Sequence, residues 1–352
     1  EAVEFLCWRT GADEPKAAAE LAVELGDLPL ALAQAAAYID THSMTISRYL
    51  ESYRDPMLAR RLRDAGLDST EYPASVARTW LLNFMQLSAE HPTAVELLRL
   101  CAFLDPDDID LDLLSTGREE TGEVLARVLG NQLERAETAG SLAATSLATV
   151  PAEDHLRVHR LVQAVTRDQL GDDQAAMWSM RALSLVAANL PSAPADYRSW
   201  PMYAKLAPHI EATARHANSY SILAESIGIL RDLGIYLSAS GQLRAARTTF
   251  ERVLAICRAA HGPEHSETAK ALGNLAGAQL RLWELRDARA SIDLALSALK
   301  GIYGPDHPDV AKALGHLGII ELRLGKMQDA RASIERGLAI NEQAYGPDHP
   351  EV

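Results

Sequence analysis

Residues able to do chemistry are sparse in these 352 positions. Lys270, Asn274 and Arg281 stand at i, i+4 and i+11, which places them on one side of a helix, and Lys312, His316 and Arg323 repeat the row 42 residues later. Such a row either presents cations to an acidic segment or a C-terminal carboxylate, or is an ordinary solvated helix side. His159 opens an amphipathic stretch. There an imidazole can donate a hydrogen bond and the free amides of a helix start favour an anion; the alternative is a partly buried core histidine. Phosphoryl transfer needs a glycine-rich loop with a lysine and a hydroxyl, and the only Gly-Lys pair is Gly325-Lys326-Met327, inside a repeat. There is no Walker sequence, no Gly-x-Ser-x-Gly elbow and no His-Glu-x-x-His helix. Cys7, Cys101 and Cys257 are far apart and form no CxxC, which predicts neither a disulfide framework nor a zinc site. The residues themselves therefore predict no catalysis and no metal.

The elements that must hold these residues follow from a 42-residue repeat. His261-Gly262-Pro263-Glu264-His265, Tyr303-Gly304-Pro305-Asp306-His307-Pro308 and Tyr345-Gly346-Pro347-Asp348-His349-Pro350 recur at that spacing. Leu230, Leu272 and Leu314 are in register, as are Leu233, Leu275 and Leu317. So are the small residues Gly234, Ala276 and Gly318, and then Ala246, Ala288 and Ala330. Within each half these positions fall at i, i+3 and i+4, with a break at Gly241, Trp283 or Gly325. Each unit is thus predicted to be two antiparallel helices, the second stopped by the Gly-Pro segment. The pattern resembles the tetratricopeptide repeat in its 42-residue, kinesin-light-chain form. Stacked units make a superhelix whose concave face binds a protein or peptide, and the two cationic rows lie opposite the leucine stripe.

Nearer the start, Leu25-Gly26-Asp27-Leu28-Pro29-Leu30-Ala31-Leu32 joins two helices. Gly26 ends the first, Asp27 is expected to cap the second, and Pro29 fits its first turn. Leu30 to Ala37 is apolar or small almost all round, apart from Gln34, and is expected to be buried. Helices are expected at 75–87 and 93–103, then a loop at 105–110, then two more helices before Gly140. An apolar run at 142–150 turns at 151–154 and returns at 155–158, so that a β-hairpin delivers Val158-His159-Arg160-Leu161 into a helix. Residues 172–218 look helical but irregular, with Pro191, Pro194, Pro201 and Pro208.

Two of these segments carry a family resemblance. Gly26-Asp27-Leu28-Pro29-Leu30 is similar to the Gly-Leu-Pro-Leu motif of the NB-ARC group of STAND nucleotide switches. Val158-His159-Arg160 resembles the Met-His-Asp motif that follows the winged-helix hairpin in that family, with Arg160 in place of the acid. The resemblance implies a mainly α chain. In it residues 1–66 are the helical ARC part of the nucleotide module, 67–171 a winged-helix regulatory domain, 172–218 a degenerate helical linker or cap, and 219–352 the repeats. It further implies that Pro29 packs on the base of ADP or ATP, that His159 contacts the β-phosphate, and that a P-loop domain lies upstream. The parent is then a bacterial NTPase switch able to self-assemble, and this piece, which begins at Glu1 rather than Met, is not itself an enzyme. A plain repeat scaffold and a winged-helix transcriptional regulator are the alternatives.

Charge weighs on the last of these. The net charge is -14, and residues 1–218 carry 19 basic against 32 acidic groups. The run Asp105-Pro106-Asp107-Asp108-Ile109-Asp110-Leu111-Asp112 adds to this; it lacks the glycine and distal glutamate of a calcium loop and is expected to be a solvated loop and helix cap. Such a surface repels a duplex, so nucleic acid is not an expected partner. No apolar run of about 18 residues predicts a membrane span, and unpaired cysteines fit a reducing, cytoplasmic setting.

Overall fold

The computed structural model describes residues 1–55, 57, 58, 62, 73–220, 222–346 and 349. The expected domain boundary at 66/67, and Pro347, Asp348 and Pro350 of the third repeat signature, lie outside the described residues. The chain is mainly helical and divides into two compact units, Glu1–Asn189 with Glu211–Tyr220, and Leu190–Ile210 with Ser221–Val352.

The first unit opens with α1 (Ala2–Thr10), α2 (Pro15–Glu24), α3 (Pro29–Thr41) and α4 (Ile46–Arg54). In α3 the residues Ala31, Leu32, Gln34, Ala35, Ala36, Ala37 and Ile39 are all buried, as its nearly all-apolar sequence demands. It is enclosed by α1, α4 and α5 (Ala74–Glu90). The turn before it uses two left-handed residues, Gly26 (φ 66) and Asp27 (φ 52). Asp27 is therefore not the cap it was expected to be. Leu28 holds that position and offers no side-chain bond. A short polar side chain tolerates the left-handed region, and Asp27 uses that tolerance instead of its capping ability.

Across the seam between α3 and α5, buried Thr79 Oγ1 donates to Gln34 Oε1 (2.7 Å) and Asn83 Nδ2 donates to the Gln34 carbonyl (3.2 Å). Beyond α5 come α6 (Pro92–Cys101), β1 (Ile109–Asp110), α7 (Leu111–Leu114), α8 (Glu123–Leu129) and α9 (Gln132–Ala144). Then follow β2 (Thr149–Ala152), β3 (His155–Arg157), α10 (Arg160–Asp168), α11 (Gly171–Ala188) and, from Glu211 onward, the second half of α12 (Trp200–Ser219). The hairpin is present, but α9 takes Leu142–Ala144, and a third strand, β1, completes a small antiparallel sheet in the order β1-β3-β2. Within the acidic loop, Asp110 caps α7 by accepting from Leu113 N (2.9 Å). Buried Arg135 binds Asp112 (2.9 Å), Asp154 (3.0 Å) and the Leu129 carbonyl (2.7 Å), fixing the hairpin to the helices below it.

In the second unit the repeats are the helix pairs α13 (Ile227–Ala239) with α14 (Leu243–His261), α15 (Ser266–Arg281) with α16 (Leu285–Tyr303), and α17 (Pro308–Arg323) with α18 (Met327–Tyr345). The first helices of successive repeats pack directly on one another and form the inner layer. The small residues mark real close approaches: a Cβ added at Gly234 would lie 2.5 Å from the Phe250 ring, and one at Gly318 would lie 2.5 Å from Ile334. Each repeat ends on an i, i+4 ring stack, His261 on His265 (4.5 Å), Tyr303 on His307 (4.3 Å) and Tyr345 on His349 (4.8 Å), the first two of them at junctions between repeats. At the break inside a repeat, Gly241 and Gly325 take left-handed φ values of 87 and 77, and Trp283 does the same at 64. For a tryptophan that conformation costs about 1–2 kcal/mol.

Gly234→Ala lowers stability by about 1–3 kcal/mol in denaturant melts, because Phe250 is enclosed, whereas Gly318→Ala costs less because half-exposed Ile334 can yield. His216 meets Phe103 edge-on at 5.5 Å; burial first, then Arg167 and Arg215, push its pKa down to about 3. Between 6.5 and about 3 the unfolded state binds the proton that the folded state refuses, so this contribution is full above pH 6.5 and is lost as pH falls. Denaturation at pH 7.5 and pH 5 should show a loss of at most about 1.4 kcal/mol per pH unit from this group, removed by His216→Leu.

Candidate functional site

Pro29 is exposed at the first turn of α3, where its missing amide costs no hydrogen bond. It lines a hollow of about 460 Å³ together with Glu1, Ala2, Phe5, Asp27 and Leu32. Phe5, Leu32 and Pro29 give it an apolar floor suited to a flat ring, while the carboxylates of Glu1 and Asp27 at the rim are unsuited to phosphates. A base, rather than its phosphate chain, is the part of a nucleotide these residues fit.

His159 is exposed and is the N-cap of α10: its Nδ1 accepts from Leu161 N at 3.2 Å. An accepting Nδ1 leaves the imidazole proton on Nε2, so the outer nitrogen is a donor. Burial first, then Arg160, hold the His159 pKa below the ordinary imidazole value, with Asp107 acting the other way. The ring is thus neutral at neutral pH. Arg157 pairs with Asp107 (2.8 Å) and His155 with Asp108 (2.7 Å), which lays the acidic loop along the hairpin beside it. Capping by histidine was not foreseen from the sequence, although the signal was there. His265 and His307 also follow a turn and also begin helices, accepting from Glu267 N (3.2 Å) and Asp309 N (3.1 Å).

Pro29 and His159 belong to one packed assembly without sharing a wall. Leu161, two residues past His159, packs on the apolar cluster that includes Leu32 and Ala35 and against which Leu28 and Leu30 also rest. His159 is not among the described residues that line the hollow at Pro29. A larger hollow of about 640 Å³ lies elsewhere in the same unit, but Glu90, Glu134 and Glu137 line it against a single arginine, Arg127, which is itself paired with Glu134 (3.3 Å), and this makes it a poor place for phosphates.

On the repeats, Lys270, Asn274, Lys312 and His316 lie along the inner helices with at least part of each side chain open to solvent. Lys270 is tied to Glu267 (2.9 Å); that bond first of all raises the lysine pKa and lowers that of Glu267. His316 is exposed at one edge and packed against protein on other sides, and that desolvation lowers its pKa. The two arginines of the rows reach backward to the preceding repeat. Arg281 binds the Ser238 carbonyl and its Oγ (2.9 Å), and Arg323 lies over the Trp283 ring at 4.4 Å.

The fold and repeats define a mainly α protein whose C-terminal part is a tetratricopeptide array, and that family's sequence pattern matches residues 225–291 and 284–343. Residues 85–175 match a domain of unknown function, DUF7779. Over 262 residues the chain is 26% identical to a nucleotide-binding leucine-rich repeat (NLR)-like protein of Hyaloscypha variabilis, covering 71% of this chain and 25% of that relative. It thus spans about a quarter of the length of this curated relative. Among solved structures, BtubC (BKLC) from P. vanneervenii is similar over 84% of this chain and 95% of its own, at 17% identity and a TM-score of 0.42. A Signal Transduction ATPase with Numerous Domains (STAND) protein with a tetratricopeptide repeat sensor, from Pyrococcus horikoshii, is similar over 91% of this chain and 54% of its own, at 13% identity and a TM-score of 0.30. The NLR-like relative and the repeat match bear out the resemblance to the repeat-bearing C-terminal region of STAND proteins. Among the described residues no helix is long and apolar enough to cross a membrane.

The cap can be separated from any ligand contact. His159→Ala should cost about 0.5–2 kcal/mol in thermal or chemical melts, while His159→Asn, a better cap that has no imidazole, should keep full stability.

Proposed function

We propose that this chain is the regulatory and protein-interaction portion of a STAND signalling NTPase. ADP or ATP is held between it and a nucleotide-binding domain outside the chain. The base rests on Pro29, with Phe5 and Leu32 around it. The Nε2–H of His159 donates to a phosphate, and neighbouring Arg160 adds a positive charge where the related motif carries an acid. The segment from α5 to α10, helices closed by a small sheet, acts as the winged-helix body that carries this histidine. A protein or peptide bound along Lys270, Asn274, Lys312 and His316 then shifts a closed ADP form toward an open one able to assemble, provided that the ligand binds the open form more tightly.

One observation carries this reading: a neutral histidine, with its proton fixed on the outer nitrogen, and an apolar hollow at a proline both stand on helices packed against a single core. A plain scaffold is the second reading, and the histidine caps of the repeats favour it, since His265 and His307 make the same bond with no nucleotide motif nearby.

ADP titration of the chain joined to its upstream nucleotide domain separates the two. His159→Asn is expected to weaken ADP binding roughly 10- to 100-fold, the value of one hydrogen bond to a charged group. Unchanged affinity and release rate would leave the scaffold reading standing.

A further inference from the structure

The turns joining the two helices of each repeat form one edge of the array, away from the inner row of Lys312 and His316. Trp283 stands in the middle turn with 67% of its surface exposed, at φ 64, where the flanking repeats have Gly241 and Gly325. Neither the hydrophobic effect nor backbone sterics favours a tryptophan there, and glycine meets the need of the turn in the repeats on both sides. A residue held in water and in a disfavoured conformation points to a use outside the fold.

The ring is also held in place, because the Arg323 guanidinium stacks over it at 4.4 Å from the next repeat. Beside it, Leu282 closes a hollow of about 460 Å³ with Gly241, Gln242, Leu243, Arg244 and Ala245. Further along, Met327 is 61% exposed. The three turn segments, 238–245, 280–287 and 322–329, hold five basic residues (Arg244, Arg281, Arg286, Arg323, Lys326) against three acidic ones, a net charge of +2, in a repeat region (residues 219–352) that carries 15 basic and 16 acidic groups in all. The edge is a basic and apolar strip on a nearly neutral array.

We infer that this turn edge is a second docking surface, which takes an acidic peptide segment carrying a large apolar or aromatic side chain. That side chain lies on the open face of Trp283 and in the hollow beside Leu282. The acidic groups of the segment meet Arg323, Arg286 and Arg244. Tryptophan and arginine are the residues that most often dominate binding energy, and a ring already clamped by a guanidinium loses little freedom on contact.

The test is a displayed library of random twelve-residue peptides, panned on the whole chain. Enriched sequences are then titrated by fluorescence anisotropy against the wild type, Trp283→Gly, Arg323→Gln and Lys312→Glu. The expected sequences are net acidic with at least one Leu, Met or aromatic residue, and they lose roughly tenfold or more in affinity with either Trp283→Gly or Arg323→Gln. Trp283→Gly should hold or raise the melting temperature, since it installs the residue of the neighbouring turns, so the loss cannot be blamed on unfolding. The inference is overturned if no peptide is enriched, if the enriched peptides are neutral or basic, or if they bind Trp283→Gly as tightly as the wild type. Peptides lost with Lys312→Glu but not with Trp283→Gly overturn it as well, and would locate recognition in the groove instead. None of these results bears on ADP binding, so the edge and the nucleotide reading stand or fall separately.

Discussion

A helix that is apolar on nearly every side has to be surrounded, and α3 imposes that constraint on the whole first unit. Its alanine-rich surface lets α1, α4 and α5 approach closely, and its first residue, Pro29, is left at the surface because the turn before it is bent by two left-handed residues. The same enclosure recruits α10 through Leu161, and so carries His159 into the assembly. The seam between α3 and α5 is not purely greasy. Gln34, Thr79 and Asn83 bond across it, and Gln34 Nε2 and Asn83 Oδ1 find no partner among the described residues. Buried polar groups of this kind add little stability and strongly restrict alternative registers, so the seam favours one docking of the two helices over any slipped one.

Much of this architecture is legible in the residues. A 42-residue period keeps its leucines, its small residues and its Gly-Pro stops in step, and each feature has a separate physical cause, so the helix pairs follow with little freedom. Gly26 and Pro29 likewise announce the sharp junction. What escapes is set by interactions with no sequence period. Strand β1 is two residues long, too short for an alternating pattern, and exists because β3 offers it an edge. Asp27 could serve as a cap or adopt a left-handed turn, and only the path of the chain toward α3 decides between them.

The candidate site was legible to a different degree. Residue types and order singled out Pro29 and His159, but not the bond that sets the histidine's tautomer, nor that Pro29 lines a hollow whose described walls do not include His159. The arginine rows show the same limit. Arg281 and Arg323 share a helix side with the lysines, yet each turns back to the preceding repeat, because Ser238 and Trp283 supply a carbonyl and a ring within reach. Spacing gives the direction in which a side chain leaves its helix, and the neighbours within its length decide where it ends.

The ring stacks at the repeat junctions have a wider consequence. Each joins residues only four apart, in the first two across a Gly-Pro bend, and two of the three pair a tyrosine with a histidine. The angle at which one helix pair hands over to the next is thus set by a contact complete within a few residues of chain. Curvature becomes a local property, like the pitch of a screw thread: an array of this kind can gain or lose whole units over evolutionary time and change its reach while keeping its winding.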